Sequence, residues 1–449
     1  MGPLELEVLR KIKPHASEEE AVGKFAKKVL EAAEIIAKPF LAYPEIVGST
    51  AKGTYLKHDY DFDLFIVFRD KIPKARLEEF GLLIGTSLTE ELGGTYNLKY
   101  AEHPYVRAKV GKYSLDIVPC YAIKNGEKII SAVDRSPLHT KYVSSKLKGV
   151  MKDHARLMKY FCKRSGIYGA DAKAEGLSGY LCELFIIEYG TFSEAIKNIA
   201  ELPFRSYIDP EGLSSEKDAK KAFKDALIVI DPTDKNRNVA APLSPQNFLR
   251  LKIEAKKCIE AGKFPSLKSA PKNLLINKLK EDRGTYFYGI CFEPPDIIAE
   301  NLYPQLRKLE RRVASYLGEN DFSIVRHHSW TDESENAYII VEVEKRALSK
   351  YKRVAGPTIN SGEIDNFLEK YLGNKYKPYI EGGQFFVCAK RRYLTVETAL
   401  RTFLKERREE IPKRIAEMDI RVLEEKEIID IVNRDKALNS SLARRIFSV

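Results

Sequence analysis

Eight residues, Asp61 to Phe68, read DFDLFIVF: two acids one residue apart, then an unbroken apolar run. The run is short, rich in Phe, Ile and Val, and suits a strand buried within a sheet. Side chains alternate across a strand, so Asp61 and Asp63 point to one face. Two carboxylates that close repel each other unless a cation lies between them. Upstream stands Gly48-Ser49, a turn signal, with Lys52 three residues after the serine. A chain that spends a buried strand, a glycine turn and two clustered acids on one short stretch must build an α/β layer there.

The segments around this stretch agree. Ser17-Glu18-Glu19-Glu20 reads as a capping box with Ser17 at the N-cap, opening a helix with Val22, Phe25, Val29 and Ile36 at helical spacing. Further on, a helix is expected at Ala75–Glu91 and strands at Tyr100–Val110 and Tyr113–Val118, the last carrying Asp116. From about Ser144 to Ala200 the pattern is helical. IDPTDKNRNVAAPLS reads as a polar loop leading into a helix at Pro245–Glu260, and KFPSLKSAPKN as a linker. After Arg283 the order is strand, helix, two strands, a helix at Gly362–Leu372 and a strand at GQFFVCAKRR. That is the βαββαβ arrangement of ferredoxin-like and RRM-like domains. A helical tail rich in both charges follows from Thr395. The chain is therefore expected to be α+β and multidomain, divided at 1–145, 146–275 and 276–449. Its 449 residues exceed one ordinary core.

The 75 basic residues against 64 acidic ones give a net charge of +11, which suits a polyanion such as nucleic acid but also suits plain solubility. The six cysteines form no CxxC pair, and their neighbours are mostly apolar, so buried reduced thiols are expected. No apolar run approaches the roughly 20 residues a membrane-spanning helix needs, and the N-terminus has no signal-peptide core. A cytoplasmic location is expected.

Asp61 and Asp63 with Asp116 on another strand form an oxygen-rich set of the kind Mg²⁺ takes, completed by substrate phosphates. Two ions about 3.5–4 Å apart can serve both the attacking and the leaving oxygen. Gly48 lets backbone N–H groups approach phosphate, Ser49 adds a hydroxyl donor and Lys52 a cation. Each feature alone has a plainer reading, a turn or a solvated strand end. The conjunction points to nucleotidyl transfer. Read by themselves, His139 is a loop histidine, Tyr168 a core or cap residue and Lys159 a surface lysine. Asp59 reads as a turn residue, and His154, His327 and His328 as structural.

GSTAKGTYLKHDYDFDLF resembles the signature of the DNA polymerase beta-like nucleotidyltransferase superfamily. YAEHPYVRAKV, LDIVPCY, SAVDRSPLHTKY, RSGIYGA, SGYLCEL, IDPTDKNRNVAAPLS and PPDIIAENLYPQL resemble a narrower group, the archaeal (class I) CCA-adding enzymes. The resemblance runs from about residue 40 to about 310. It implies a polymerase beta-like catalytic domain, a helical central domain and an RRM-like region that binds tRNA. It implies addition of CCA to the 3′ end of tRNA from CTP and ATP without a template, with two Mg²⁺ ions.

By position, Asp61, Asp63 and Asp116 would be the metal carboxylates and the catalytic acids. The first is often Glu in the family. Gly48, Ser49 and Lys52 would hold the triphosphate, Lys52 standing where relatives often have Arg. His139, Lys159 and Tyr168 would complete the nucleotide pocket, and Arg237 would face the base. Glu102 and His103 would lie near the tRNA 3′ end. The implied partners are the tRNA acceptor end or a minihelix, with ATP and CTP; a homodimer stays open, and no membrane is involved. Two rival readings keep the same acids: a poly(A) polymerase-like terminal transferase, and a non-catalytic RNA-binding protein on this scaffold.

Overall fold

The computed structural model describes residues 1–100, 103–123, 130–265 and 276–447. It forms two compact units, Met1–Leu267 and Lys268–Val449.

The first unit opens with helices Pro3–Ile12 and Ala16–Ala37. The second of these is capped two residues earlier than the sequence suggests. The His15 N–H donates to Glu18 Oε2 at 2.8 Å, so Glu18 is the capping acid and Ser17 lies inside the first turn. Five strands follow: β1 (Ala42–Val47), β2 (Asp61–Phe68), β3 (Thr95–Tyr100), β4 (Pro104–Val110) and β5 (Tyr113–Tyr121). They lie in the order β1-β2-β5-β4-β3, with β2 and β5 parallel and the other neighbours antiparallel. The single strand expected at Tyr100–Val110 is instead the end of β3 and the whole of β4. Pro104, which has no N–H to give a ladder, stands at the break.

Phe62, Leu64 and Ile66 face a core made with Val29 and Ala33 of the second helix and Leu77, Ile84 and Leu88 of helix Lys74–Glu91. Removing each such side chain from water is worth roughly 2 kcal/mol. That last helix lies close to the sheet because Gly81 and Gly85 face it. A Cβ at these positions would come within 2.5 Å of Pro119 and 2.8 Å of Val106. Phe65 and Val67 face the other way, against Val47 and Cys120. By parity Asp61 and Asp63 lie on this second face.

The rest of the first unit is mainly helical: Arg135–Lys146, Met151–Ser165, Gly179–Tyr189, Phe192–Glu201, Glu216–Ala222 and Pro245–Ala261, around a core that includes Met158, Phe161, Phe185 and Phe248. A small sheet accompanies them, of β6 (Ser206–Ile208), β7 (Leu227–Asp231) and β8 (Asp234–Asn238). The supposed polar loop IDPTDKNRN is thus a hairpin, turning at Pro232-Thr233. The fully buried LIVID of β7 anchors it, and Asn238 Oδ1 accepts the Val229 N–H at 2.8 Å. Of the linker KFPSLKSAPKN, residues 266–273 lie outside the described residues.

The second unit contains β9 (Tyr286–Phe292), β10 (Ile324–Thr331), β11 (Ala337–Val343), β12 (Tyr351–Thr358), β13 (Tyr379–Glu381), β14 (Gln384–Lys390) and β15 (Arg421–Leu423). An antiparallel sheet of order β10-β11-β9-β15, with helix Ala299–Glu319 after β9 and helix Val396–Glu406 before β15, gives the ferredoxin-like topology. The sequence reading assigned its second half to the wrong elements. Helix Ile364–Tyr371 and strand β14 belong to a separate three-stranded sheet, β12-β14-β13, inserted ahead of the true second helix. The true fourth strand is three residues long, too short to show a period. Both faces of the ferredoxin-like sheet are covered, one by helices Ala299–Glu319 and Val396–Glu406, the other by Glu425–Arg434 and Lys436–Phe447. Among the described residues no helix is long and apolar enough to cross a membrane.

Candidate active site

β1 ends at Val47, which is paired with Asp63. Gly48 follows with φ +74°, and a Cβ there would lie 2.1 Å from Asp63 Oδ2. Only glycine satisfies both the backbone and the contact. The expected Gly-Ser turn is the start of a five-residue helix, Gly48–Lys52. Its first N–H donates to Thr140 Oγ1 at 3.2 Å, Thr50 Oγ1 donates to the Asp61 carbonyl at 3.2 Å, and the Ser49 carbonyl accepts from Thr54 N at 3.0 Å. The segment is thereby tied to β2 on one side and to helix Arg135–Lys146 on the other.

The parallel register sets Asp63 directly abreast of Asp116 and Asp61 beside Ser114. The three acids share one local field. Burial, then the neighbouring charges of Asp116 and Asp61, push the Asp63 carboxyl up to about 6. Burial together with Asp59 and Asp116 raises Asp61 as well. Asp116 has a cation of its own. Arg107, its cross-strand partner on β4, donates from Nε to Oδ1 and from Nη2 to Oδ2, both at 2.6 Å. Nothing in the sequence marked Arg107, whose partner nine residues on becomes a neighbour only through the β4–β5 hairpin.

Lys52 and Lys159 converge on one buried carboxylate. Lys52 Nζ stands 2.5 Å from Glu183 Oε2, and Lys159 Nζ 2.7 Å from Glu183 Oε1 and 2.8 Å from Thr54 Oγ1. Thr54 Oγ1 also donates to Glu183 Oε1 at 2.5 Å. Burial pushes Glu183 up, but the two ammonium groups outweigh it and hold the carboxyl at about 2. Burial lowers Lys159. Lys52 lines the cleft described below; Lys159 stands behind it, as its support.

A second hub is Asp231, at the end of β7 and fully buried. Its Oδ2 accepts from His139 Nε2 at 2.8 Å and Arg237 Nη1 at 2.7 Å. Its Oδ1 accepts from the Tyr180 hydroxyl at 3.2 Å, Thr233 N at 2.9 Å and Thr233 Oγ1 at 2.8 Å. Burial pushes Asp231 up, but the hydrogen bonds from His139, Thr233 and Arg237 prevail and hold it well below the usual carboxylate range. Burial lowers the imidazole of His139 against the pull of Asp231. A carboxylate only accepts, so His139 Nε2 carries the hydrogen. The ring stacks on Tyr180, with centroids 4.0 Å apart and 17° between planes.

These elements enclose a cleft of about 360 Å³, lined among others by Gly48, Lys52, Asp63, His103, Asp116, Ser136, His139, Thr140 and Tyr180. His103 is itself held, by Glu78 at 3.2 Å and Ser131 at 3.1 Å. Glu102 lies outside the described residues. Tyr168 stands beside Lys159 rather than in the lining: a Cβ on Gly179 would meet its hydroxyl at 2.9 Å and Lys159 Cε at 3.4 Å. Asp59 pairs with Lys163 at 2.5 Å. His154 accepts the Phe192 N–H at 3.2 Å, His327 meets Glu310 at 2.6 Å and His328 meets Ser441 at 3.0 Å. The sequence reading missed Arg107, Tyr180, Glu183 and Asp231. SGYLCEL and IDPTDKNRN had been singled out for their resemblance, but which acid in them is buried shows only in three dimensions.

Among the described residues no three His, Cys, Asp or Glu side chains are already drawn together around one point as a metal cage. The donor set nevertheless fits a hard divalent cation. It is all oxygen, two of its members stand abreast, and Asp63 is raised by burial and then by the charges of the other two.

Residues 8–139 match the nucleotidyltransferase domain, residues 153–266 the second domain of tRNA nucleotidyltransferase, and residues 283–424 the C-terminal domain of the CCA-adding enzyme. The CCA-adding enzyme of Methanocaldococcus jannaschii is 36% identical over 401 residues, 86% of this chain and 87% of that protein. That of Archaeoglobus fulgidus is 35% identical over 365 residues, 80% of each. That of Halobacterium salinarum is 34% identical over 394 residues, 86% of this chain and 85% of that protein. With all three successive regions matched, and likeness sustained over most of each relative's length, the chain belongs to the archaeal CCA-adding enzymes.

Proposed function

We propose that this CCA-adding enzyme joins CTP and ATP to the 3′ end of tRNA within the cleft floored by Asp63 and Asp116. The observation that carries the assignment is the parallel pairing that sets these two acids abreast, in a cleft whose wall also presents Lys52 and His139. A volume of about 360 Å³ suits one small ligand.

The proposed roles draw on these contacts and on the resemblance of the sequence. Gly48 and Ser49 let the nucleotide's phosphates come close to backbone at the β1 end, and Lys52, steadied by Glu183 and Lys159, offers them its charge. Tyr168 backs this cluster. Two Mg²⁺ ions held by Asp61, Asp63 and Asp116 would polarise the attacking hydroxyl and neutralise the departing pyrophosphate. Arg107 fixes the plane of the Asp116 carboxylate, which orients the tRNA 3′-hydroxyl for in-line attack on the α-phosphate. His139, with its Nε2–H tied to Asp231, keeps Nδ1 as an acceptor for a ribose hydroxyl. Glu102 and His103 serve the RNA 3′ end.

Arg237 reads the base. Cytosine N3 and adenine N1 carry lone pairs, whereas the matching atoms of uracil and guanine carry hydrogens. A donor held opposite that ring nitrogen therefore accepts C and A and rejects U and G.

The proposed division of labour follows the chain: catalysis in 1–145, nucleotide binding in 146–275, tRNA binding in 276–449. Helices cover both faces of the ferredoxin-like sheet. The grip on tRNA therefore uses backbone and 2′-hydroxyl contacts at other surfaces, without base stacking on that sheet. That an acceptor-end minihelix suffices as substrate, that the chain pairs as a homodimer and that it works in the cytoplasm belong to the same proposal.

The test is a nucleotide-addition assay on tRNA lacking its 3′ CCA, with Mg²⁺ and each nucleotide singly and together. Two C additions with CTP alone, and a terminal A only once ATP joins, are expected. A long A ladder would replace this reading with a poly(A) polymerase-like one. Tight tRNA binding without addition would replace it with a non-catalytic scaffold.

A further inference from the structure

We infer that Asp231 is a positioning residue that sets nucleotide selectivity: its buried carboxylate fixes, from one oxygen, both the side chain that reads the base and the side chain that meets the sugar. The inference rests on the reading of Arg237 as the base-facing group.

Five donated hydrogen bonds converge on Asp231, from four residues. A carboxylate with no exposed surface and five donors has a single orientation. Two of those donors come from the turn that follows it, the Thr233 backbone and hydroxyl, so the carboxylate is held by its own turn as well as by the side chains that meet it. What it then holds is mobile by nature. Arg237 projects from the short strand β8, and its side chain is 33% exposed, so a free guanidinium there would sample many rotamers. One of its five N–H groups is held by Asp231 Oδ2, and this charge-assisted bond narrows the directions in which the other four point.

His139 comes from a different element, helix Arg135–Lys146, and meets the same oxygen. Tyr180, from a third element, meets the other oxygen and stacks on His139. The distance between the base-reading and sugar-facing groups is thus set by one atom. An enzyme that selects C and A without a template needs that distance fixed, because a guanidinium free to swing can donate to the O4 of uracil or the O6 of guanine as readily as to N3 or N1.

The test uses the full-length protein and four single additions: CTP and UTP onto tRNA lacking CCA, ATP and GTP onto tRNA ending in CC. For Asp231→Asn, kcat/KM for CTP and ATP should fall, and the CTP/UTP and ATP/GTP ratios should each drop by roughly tenfold or more. Competitive inhibition by inorganic triphosphate should stay unchanged. A purely structural role would lower all four nucleotides alike and leave the ratios where they are, which would overturn the inference.

Thr233→Val removes a donor to Asp231 while sparing the carboxylate, and it keeps the inference open to refutation should Asp231→Asn fail to fold. Its ratios should drop in the same direction by a smaller factor; unchanged ratios in a folded Thr233→Val protein would count against the assignment. Arg237→Ala separates the two readings. Lost selectivity in Arg237→Ala with intact selectivity in Asp231→Asn refutes the inference alone. Intact selectivity in Arg237→Ala refutes the base-reading role on which it rests.

Discussion

Arg107 and Asp116 face each other across the antiparallel strands β4 and β5 and share two hydrogen bonds of 2.6 Å. The guanidinium matches both oxygens of the carboxylate, so the acid is held in one plane at the floor of the cleft. Burial acts to lower the arginine, but the hydrogen bonds to Asp116 come first and raise it well above its ordinary value. Arg107→Lys would replace a planar fork with a point charge. Its rate of nucleotide addition should fall by roughly 10- to 100-fold, as for other partners that orient a ligating acid. KM for CTP should stay close to wild type. Single-turnover addition measured across CTP concentrations checks this, and a raised KM with an intact rate would assign Arg107 to nucleotide binding instead.

Asp63 makes a prediction about stability. Its folded-state carboxyl stands at about 6, above the value of an unfolded chain. The folded protein therefore holds that proton more tightly than the unfolded one. The stability linked to it is fully present below the ordinary Asp value near pH 4 and is lost as pH rises through about 6. In metal-free buffer at pH 7.5, Asp63→Asn should thus be more stable than wild type, by on the order of 2 kcal/mol, with the gain fading towards pH 4. Added Mg²⁺ should raise the melting temperature of wild type and leave the variant unmoved. Denaturant melts at several pH values, with and without Mg²⁺, are the measurement.

Gly48→Ala should fail for two separate reasons. The backbone φ of +74° strains any other residue, and the new methyl would lie 2.1 Å from Asp63 Oδ2. The strain alone costs of order 1–3 kcal/mol. Moving the Asp63 side chain aside would also carry its carboxylate out of place beside Asp116. Addition should become undetectable while the protein still folds with a lowered melting temperature. Residual activity near wild type would mean that this close approach is absent in solution.

The legible parts of the molecule were those whose signal is local. DFDLFIVF announced a buried strand with two acids at its mouth, because period and polarity are read over neighbouring residues. Pro245 began a helix as expected, with Ser244 capping it. What was illegible depends on contacts between distant segments. Asp231 stands at the head of a stretch of polar residues and looks solvated, yet the apolar LIVI before it draws it inside. Glu183 sits in a mostly apolar helix that also carries Glu188, and nothing in the sequence says which of the two acids is buried or that two lysines far off will meet it. The ferredoxin-like topology was named correctly from partly wrong elements, because the inserted sheet supplied a helix and a strand where a helix and a strand were due.

Glu183 gives the last prediction. Its two oxygens are shared between Lys52 and Lys159, and none of the three carries more than a trace of exposed surface. Two ammonium groups that close are tolerable only with the carboxylate between them. Glu183→Gln removes that charge and keeps the shape, leaving two buried cations with one neutral amide. Breaking a buried ion pair in this way costs about 3–5 kcal/mol. The pH dependence has a definite sign. The folded carboxyl is depressed to about 2, so its contribution is complete above the ordinary Glu value near 4.5 and is lost as pH falls from there towards 2. Wild type should therefore lose stability on going from pH 5 to pH 3, and Glu183→Gln, already weakened at pH 7, should lose less over the same interval. Urea denaturation across that range decides it. Equal slopes for the two proteins would show that Glu183 does not hold its lysines as charged partners, and that Lys52 reaches the cleft by some other support.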